Sequence, residues 1–96
     1  MGPDSENLPE PRSLYRHYKG KLYRIIGHAR HTESLEMMVV YEAQYDDPQF
    51  GRNAIWVRPA AMWTADVQWE GKTVKRFTLV IPKFTVPKLE INDFYA

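Results

Sequence analysis

Through the middle of the chain apolar and polar residues alternate at every second position, and helical spacing is scarce. Residues 37–45 are the clearest case, with Met37, Val39, Tyr41, Ala43 and Tyr45 on one side. Residues 15–19 read as a short strand ended by Gly20, and residues 22–31 as a longer one. In that longer strand Tyr23, Ile25 and Ala29 would share one face, and Arg24, Ile26, His28 and Arg30 the other. Gly27 marks a bulge or sharp bend within it. Residues 32–36 form a polar turn, and residues 46–53 a loop punctuated by Pro48 and Gly51. A fourth strand over 54–58 stops at Pro59. Residues 59–63 then make one helical turn, begun on a proline whose missing N–H costs nothing there. Residues 66–69 and 73–81 pair as a last hairpin about Glu70-Gly71-Lys72.

Short strands at this spacing predict an all-β domain, a small SH3-like barrel of five to six short strands with one helical turn and an irregular C-terminal tail. The chain divides into a flexible leader over 1–13, the barrel over 14–81 and an apolar extension over 82–96. Pro82 and Pro87 keep that extension out of a central strand or a helix interior. Phe84, Leu89, Ile91, Phe94 and Tyr95 call for a surface to lie on, either this domain or a partner.

Composition narrows the chemistry. Ninety-six residues allow one core, and 44% hydrophobic content with thirteen aromatics (14%) suffices to fill it without staples. There is no cysteine, which removes disulfides, thiolate nucleophiles, thiolate metal sites and iron–sulfur clusters together. No apolar run approaches the roughly 20 residues that span a bilayer. The leader also lacks a basic-then-apolar signal pattern. The expectation is a cytoplasmic protein with no membrane contact and no cofactor.

Net charge is +1 and uninformative, but its distribution is polarised. Six basic residues and three histidines lie between Pro11 and Thr32 without an acid, and five acids lie between Glu33 and Asp47 without a base. Two paired strands of opposite charge would explain this, and so would a functional basic face.

The segments YRHYKG (15–20), HARHTES (28–34), VVY (39–41) and WVRP (56–59), followed by Met62, resemble a small bacterial family catalogued as domain of unknown function 1653. The resemblance covers about residues 14–77. It implies an SH3-like barrel, in agreement with the strand pattern, and it implies no activity. Lys75 stands where the family usually has proline before Arg76-Phe77, and the tail after Phe77 is longer than the family's.

Catalytic machinery is not assembled in this sequence. His28 and His31, near Glu33 and Glu36, have metal-ligand character, but residues three apart on an extended strand point to opposite faces. Ser34 beside His31 and Glu33 is not a triad, because triads are built in space and not along the chain. Five scattered glycines make no phosphate loop, and Asp46-Asp47 marks a turn before it marks a dyad.

Basic residues interleaved with aromatics are the more informative set. Arg16, His17 and Tyr18 come from the first strand, and Arg24, His28, Arg30 and His31 from the second. Tyr41, Tyr45, Trp56 and Arg58 come from the third and fourth. Cationic side chains rarely fill a core, whereas exposed rings stack ligands and guanidinium forks grip anions. Tyr41 and Trp56 could equally be core. The leading expectation is a non-enzymatic module that binds an anionic or nucleic-acid ligand on this face. The alternative is a protein-interaction module that takes a peptide, with the C-terminal tail as a second contact. A small enzyme with its site at an oligomer interface comes third.

Overall fold

A computed structural model describes residues 8–82. Five antiparallel strands form the main sheet: β1 (Leu14–His17), β2 (Leu22–Arg30), β3 (Met37–Ala43), β6 (Ile55–Pro59) and β9 (Phe77–Ile81), in the spatial order β6-β3-β2-β1-β9. Two hairpins stand beside it, β4 (Asp46–Asp47) with β5 (Gly51–Arg52) and β7 (Asp66–Trp69) with β8 (Lys72–Lys75). The single helical turn, α1 (Ala60–Trp63), follows β6 directly, with Pro59 as its N-cap. The domain is all-β, as the alternation predicts.

The core lies on the inner face of the curved sheet. Ile25 of β2, Val39 and Tyr41 of β3, Ala60 and Trp63 of α1 and Phe77 of β9 form one buried cluster. The sheet's two edge strands, β6 and β9, are not hydrogen-bonded to each other among the described residues. Side chains span the gap instead, because the Arg58 guanidinium of β6 lies 5.6 Å from the Phe77 ring centre.

Three local features differ from the sequence expectation. First, the bulge expected at Gly27 is present, with Ile26 as its extra residue since Ile25 pairs with Tyr41 and Gly27 with Val40, but the facing expected beyond it is not. The extra residue reverses the alternation beyond it. His28 and Arg30 stand opposite Val39 and Met37 on the inner side, whereas Arg24 stands opposite Glu42 on the outer side and Ala29 opposite Met38. Arg24, His28 and Arg30 therefore do not share a face. Second, the strand expected over 73–81 breaks at Arg76. β8 pairs with β7 as far as Lys75, and from Phe77 the chain pairs with β1. Third, the loop over 46–53 closes on a two-residue ladder, Asp46 to Arg52 and Asp47 to Gly51. There the Asp47 carboxylate accepts the amides of Gln49 and Phe50 at 2.7 and 3.0 Å, so the aspartate pair serves a turn.

Residues 8–13 of the proline-rich leader are tied to β2. The Arg12 amide donates to the Ile25 carbonyl at 2.8 Å, the Ile25 amide donates to the Ser13 carbonyl at 2.9 Å, and Pro9 and Ser13 are buried. The expected apolar tail over 82–96 lies outside the described residues beyond Pro82.

Candidate anion-binding site

His17 ends β1, and the tight turn after it, with the Gly20 amide donating to the His17 carbonyl at 2.7 Å, sets Tyr18 and Lys19 beside Trp69 of β7. The His17 imidazole packs on the Tyr18 ring at 4.4 Å and meets the edges of Phe77 at 5.1 Å and Tyr23 at 6.4 Å. Tyr23 is the hub of the polar side of this aromatic cluster. Its ring meets Tyr41 at 5.2 Å and Tyr45 at 5.6 Å, and its hydroxyl shares a 2.6 Å hydrogen bond with that of Tyr45. Arg58 reaches the same place from β6, its Nε donating to the Tyr41 hydroxyl at 3.3 Å.

Cations gather here. Burial pulls the His17 pKa below the ordinary histidine value, and the positive charges of Arg58, Arg76 and Lys19 pull it further. Arg76 sits at the strand break, its amide donating to the Ala65 carbonyl at 3.3 Å and its carbonyl accepting the Tyr18 amide at 3.0 Å. Its Nε is buried and has no hydrogen-bond partner among the described residues. Among the described residues, no carboxylate forms an ion pair with Arg58 or Arg76. On the rim, Lys21 Nζ stands 4.6 Å from the Tyr45 ring centre.

The residues singled out in the sequence separate into two groups. His17, Tyr18, Tyr41, Tyr45 and Arg58 surround or adjoin this cluster, and the neighbouring Arg16 guanidinium donates to the Gly20 carbonyl at 3.1 Å. The others are placed elsewhere. The Arg24 guanidinium donates to the Arg12 carbonyl at 3.0 Å, and His28 Nε2 donates to the Pro9 carbonyl at 2.6 Å, so both hold the leader. Arg30 donates to the Leu35 carbonyl at 2.9 Å, and His31 Nδ1 accepts the amides of Glu33 and Ser34 at 3.1 and 3.3 Å, so both shape the turn before β3. Trp56 packs against the core and meets Phe50 at 4.9 Å.

Sequence reasoning passed over Arg76, Tyr23 and Trp69. Arg76 had a signal, since it stands beside Phe77 where the family resemblance ends, but its inward position depends on the strand break. Tyr23 reads as an ordinary inner-face residue, and nothing in its spacing distinguishes a hub from a filler.

A model of the family described as protein of unknown function (DUF1653) matches residues 13–79. The chain belongs to this family. The match takes in every residue of the cluster, from His17 through Arg58 to Arg76, and ends before the C-terminal tail. A crystal structure of a DUF1653 protein from Bordetella bronchiseptica is similar to this chain, with a TM-score of 0.64 and 28% identity over 81% of this chain and 95% of that one. The comparison with curated proteins found no match. Membership in DUF1653 accounts for the fold and assigns no activity. Among the described residues, no helix is long and apolar enough to cross a membrane.

Proposed function

We propose that this domain is a non-enzymatic binding module whose ligand presents an anionic group to His17, Arg58 and Arg76. The observation that carries this reading is a buried Arg76 Nε without a hydrogen-bond partner, with Arg58 and Arg76 both near enough to the half-buried His17 to lower its pKa and no carboxylate paired with either among the described residues. Like charges at close quarters, partly withdrawn from water, cost stability unless something of opposite charge joins them. A core built only for stability would have placed an apolar residue or an acid at one of these positions. Here Arg58 is held by the Tyr41 hydroxyl and the Phe77 ring, and Arg76 by its backbone hydrogen bonds to Ala65 and Tyr18, as a preformed anion site requires. The absence of cysteine suits a reducing compartment, and the reading places the module in the bacterial cytoplasm.

The test is fluorescence anisotropy of labelled single-stranded RNA and DNA at low and physiological salt, using the full chain and an Arg58→Gln/Arg76→Gln variant. The expected result is binding that weakens steeply with salt. In the variant, the slope of log K against log salt should become shallower by about one for each phosphate it no longer neutralises. No binding of any polyanion even at low salt would refute the proposal. Binding of extended, proline-containing peptides with little response to salt would support the peptide-module alternative instead.

A further inference from the structure

Next to the cation cluster, with His17 in common, a groove of about 260 Å³ runs between β1 and the β7–β8 hairpin. Arg16, His17, Tyr18, Trp69, Lys75 and Thr78 line it. Trp69 stands at the last position of β7, next to the hairpin turn, and takes no part in the core cluster. Trp69 is 37% exposed, and its indole meets the Tyr18 ring at 5.1 Å with the planes 70° apart. Lys19 Nζ is 5.9 Å from the Tyr18 ring centre and 5.8 Å from that of Trp69. An exposed indole at a hairpin tip adds little to a core it does not enter. Its place among cations is that of a stacking platform.

We infer that this groove stacks a nucleobase on Trp69, with Tyr18 against its edge, so that the ligand of the anion site is a single-stranded nucleic acid. The inference rests on the anion-binding reading and adds to it the class of ligand. Two sets of cations adjoin the platform: Arg16, Lys19 and Lys75 at the groove, and Arg58 and Arg76 near His17, which also lines it. A free nucleotide carries its phosphate at one end, whereas a strand carries a phosphate before and after each base. The strand is the ligand whose repeated charge can engage both sets. Because His17 touches both Tyr18 and Phe77, one side chain adjoins the base site and the phosphate site. Every base offers a flat face, so this arrangement gives affinity with little sequence preference.

The experiment compares three probes on the full chain: a labelled single-stranded oligonucleotide, the same length of abasic strand, and inorganic tripolyphosphate as competitor. Each is titrated against the unaltered protein, Trp69→Ala and Arg58→Gln/Arg76→Gln, with circular dichroism confirming that each variant is folded. The intact oligonucleotide should bind at least about tenfold more tightly than the abasic strand and quench tryptophan fluorescence. Trp69→Ala should weaken the intact strand by a similar factor and leave the abasic strand unchanged, as the loss of one base–aromatic stack predicts. Equal binding of intact and abasic strands would overturn the base-stacking inference, and if the arginine variant still weakened both, the anion reading would survive. Failure of all three probes to bind would remove both. Displacement of the oligonucleotide by a neutral proline-containing peptide with unchanged tripolyphosphate binding would assign the groove to peptide and also overturn the inference.

Discussion

The indole of Trp63 lies flat on the ring of Phe77, with centroids 3.7 Å apart and planes within 4° of parallel. Trp63 closes the helical turn and Phe77 opens the last strand, so this stack joins α1 to the edge of the sheet farthest from β6 along the hydrogen-bonded order. Tyr41 meets both rings, at 4.9 Å and 5.9 Å, and Tyr15 meets Trp63 at 5.4 Å. Among the described residues β6 and β9 share no hydrogen bonds, so side-chain contacts such as this one join the two ends of the sheet. Phe77→Ala should therefore cost about 3–5 kcal/mol, the range for deleting a buried aromatic ring. Phe77→Leu should cost less because it keeps most of the volume. Urea unfolding of the two variants tests this, and a loss for the alanine variant no greater than that of an exposed site would place the centre of the core elsewhere.

His17 gives the domain a pH response of known sign. Burial, then Arg58, Arg76 and Lys19, lower its pKa in the folded chain, and its Nδ1 accepts the Lys19 amide at 3.2 Å, which favours the neutral ring. The unfolded chain takes up the proton as pH falls through the ordinary histidine value of about 6.5, while the folded chain does not. Stability is therefore greatest, in this respect, above that pH and declines as pH falls below it. Anion binding has the opposite response, because a bound anion favours the imidazolium and should tighten as pH falls. His17→Gln should flatten both profiles, with unfolding measured by thermal scans and affinity by anisotropy from about pH 5 to 8. A His17→Gln profile that matches the original in both would remove His17 from the site.

The Tyr23–Tyr45 pair acts at the other end of the pH scale. Burial and then the 2.6 Å bond to the Tyr45 hydroxyl push the Tyr23 pKa far above that of a free phenol. A raised pKa means that the folded chain keeps a proton which the unfolded chain gives up, so stability holds below about pH 10 and falls above it. Tyr23→Phe removes this alkaline loss but leaves the Tyr45 hydroxyl without its partner, at a cost of about 1 kcal/mol near neutral pH. Absorbance titration of the phenolate band should show one tyrosine fewer resisting ionisation in the variant. If the variant shows as many late-ionising tyrosines as the original, Tyr23 is not the phenol that the fold holds protonated.

Much of this was legible in the sequence, for identifiable reasons. The inner face of β3 could be read because alternation is unbroken from Met37 to Ala43, with Val39, Tyr41 and Ala43 buried. The helical turn could be read because proline starts it and Trp63 anchors it. Two events hid the rest. The bulge at Ile26 reverses every later side chain of β2, so a two-residue period carried across it puts His28 on the wrong face. At Arg76 the chain changes partners from β7 to β1 without a proline or glycine to announce it. Alternation reports which side of a strand is buried and is silent about which strand lies alongside. For that reason Arg58 could be proposed for the site while Arg76, which completes it, could not.

Gly27 and Gly71 separate a glycine that the fold uses from one that it tolerates. The bulge invites the reading that Gly27 is required, yet its φ is not in the left-handed region and a Cβ placed on it meets nothing within 4 Å. The extra residue that makes the bulge is Ile26, so the bend does not need a missing side chain at position 27. Gly71 differs. With Glu70 at φ 51° and Gly71 at φ 78°, these two residues form the tight link between Trp69 and Lys72, a turn of the kind that matches the twist of a hairpin. Gly27→Ala should leave stability unchanged or raise it by about 0.4–1 kcal/mol, through the reduced freedom of the unfolded chain. Gly71→Ala should lower it by about 1–2 kcal/mol, the penalty of a left-handed backbone for an L side chain. It should also weaken oligonucleotide binding, because this turn holds Trp69 across from Tyr18. Denaturant midpoints for the two variants decide the first pair of expectations. Unchanged oligonucleotide affinity in a folded Gly71→Ala protein would show that the hairpin tip does not position the stacking ring.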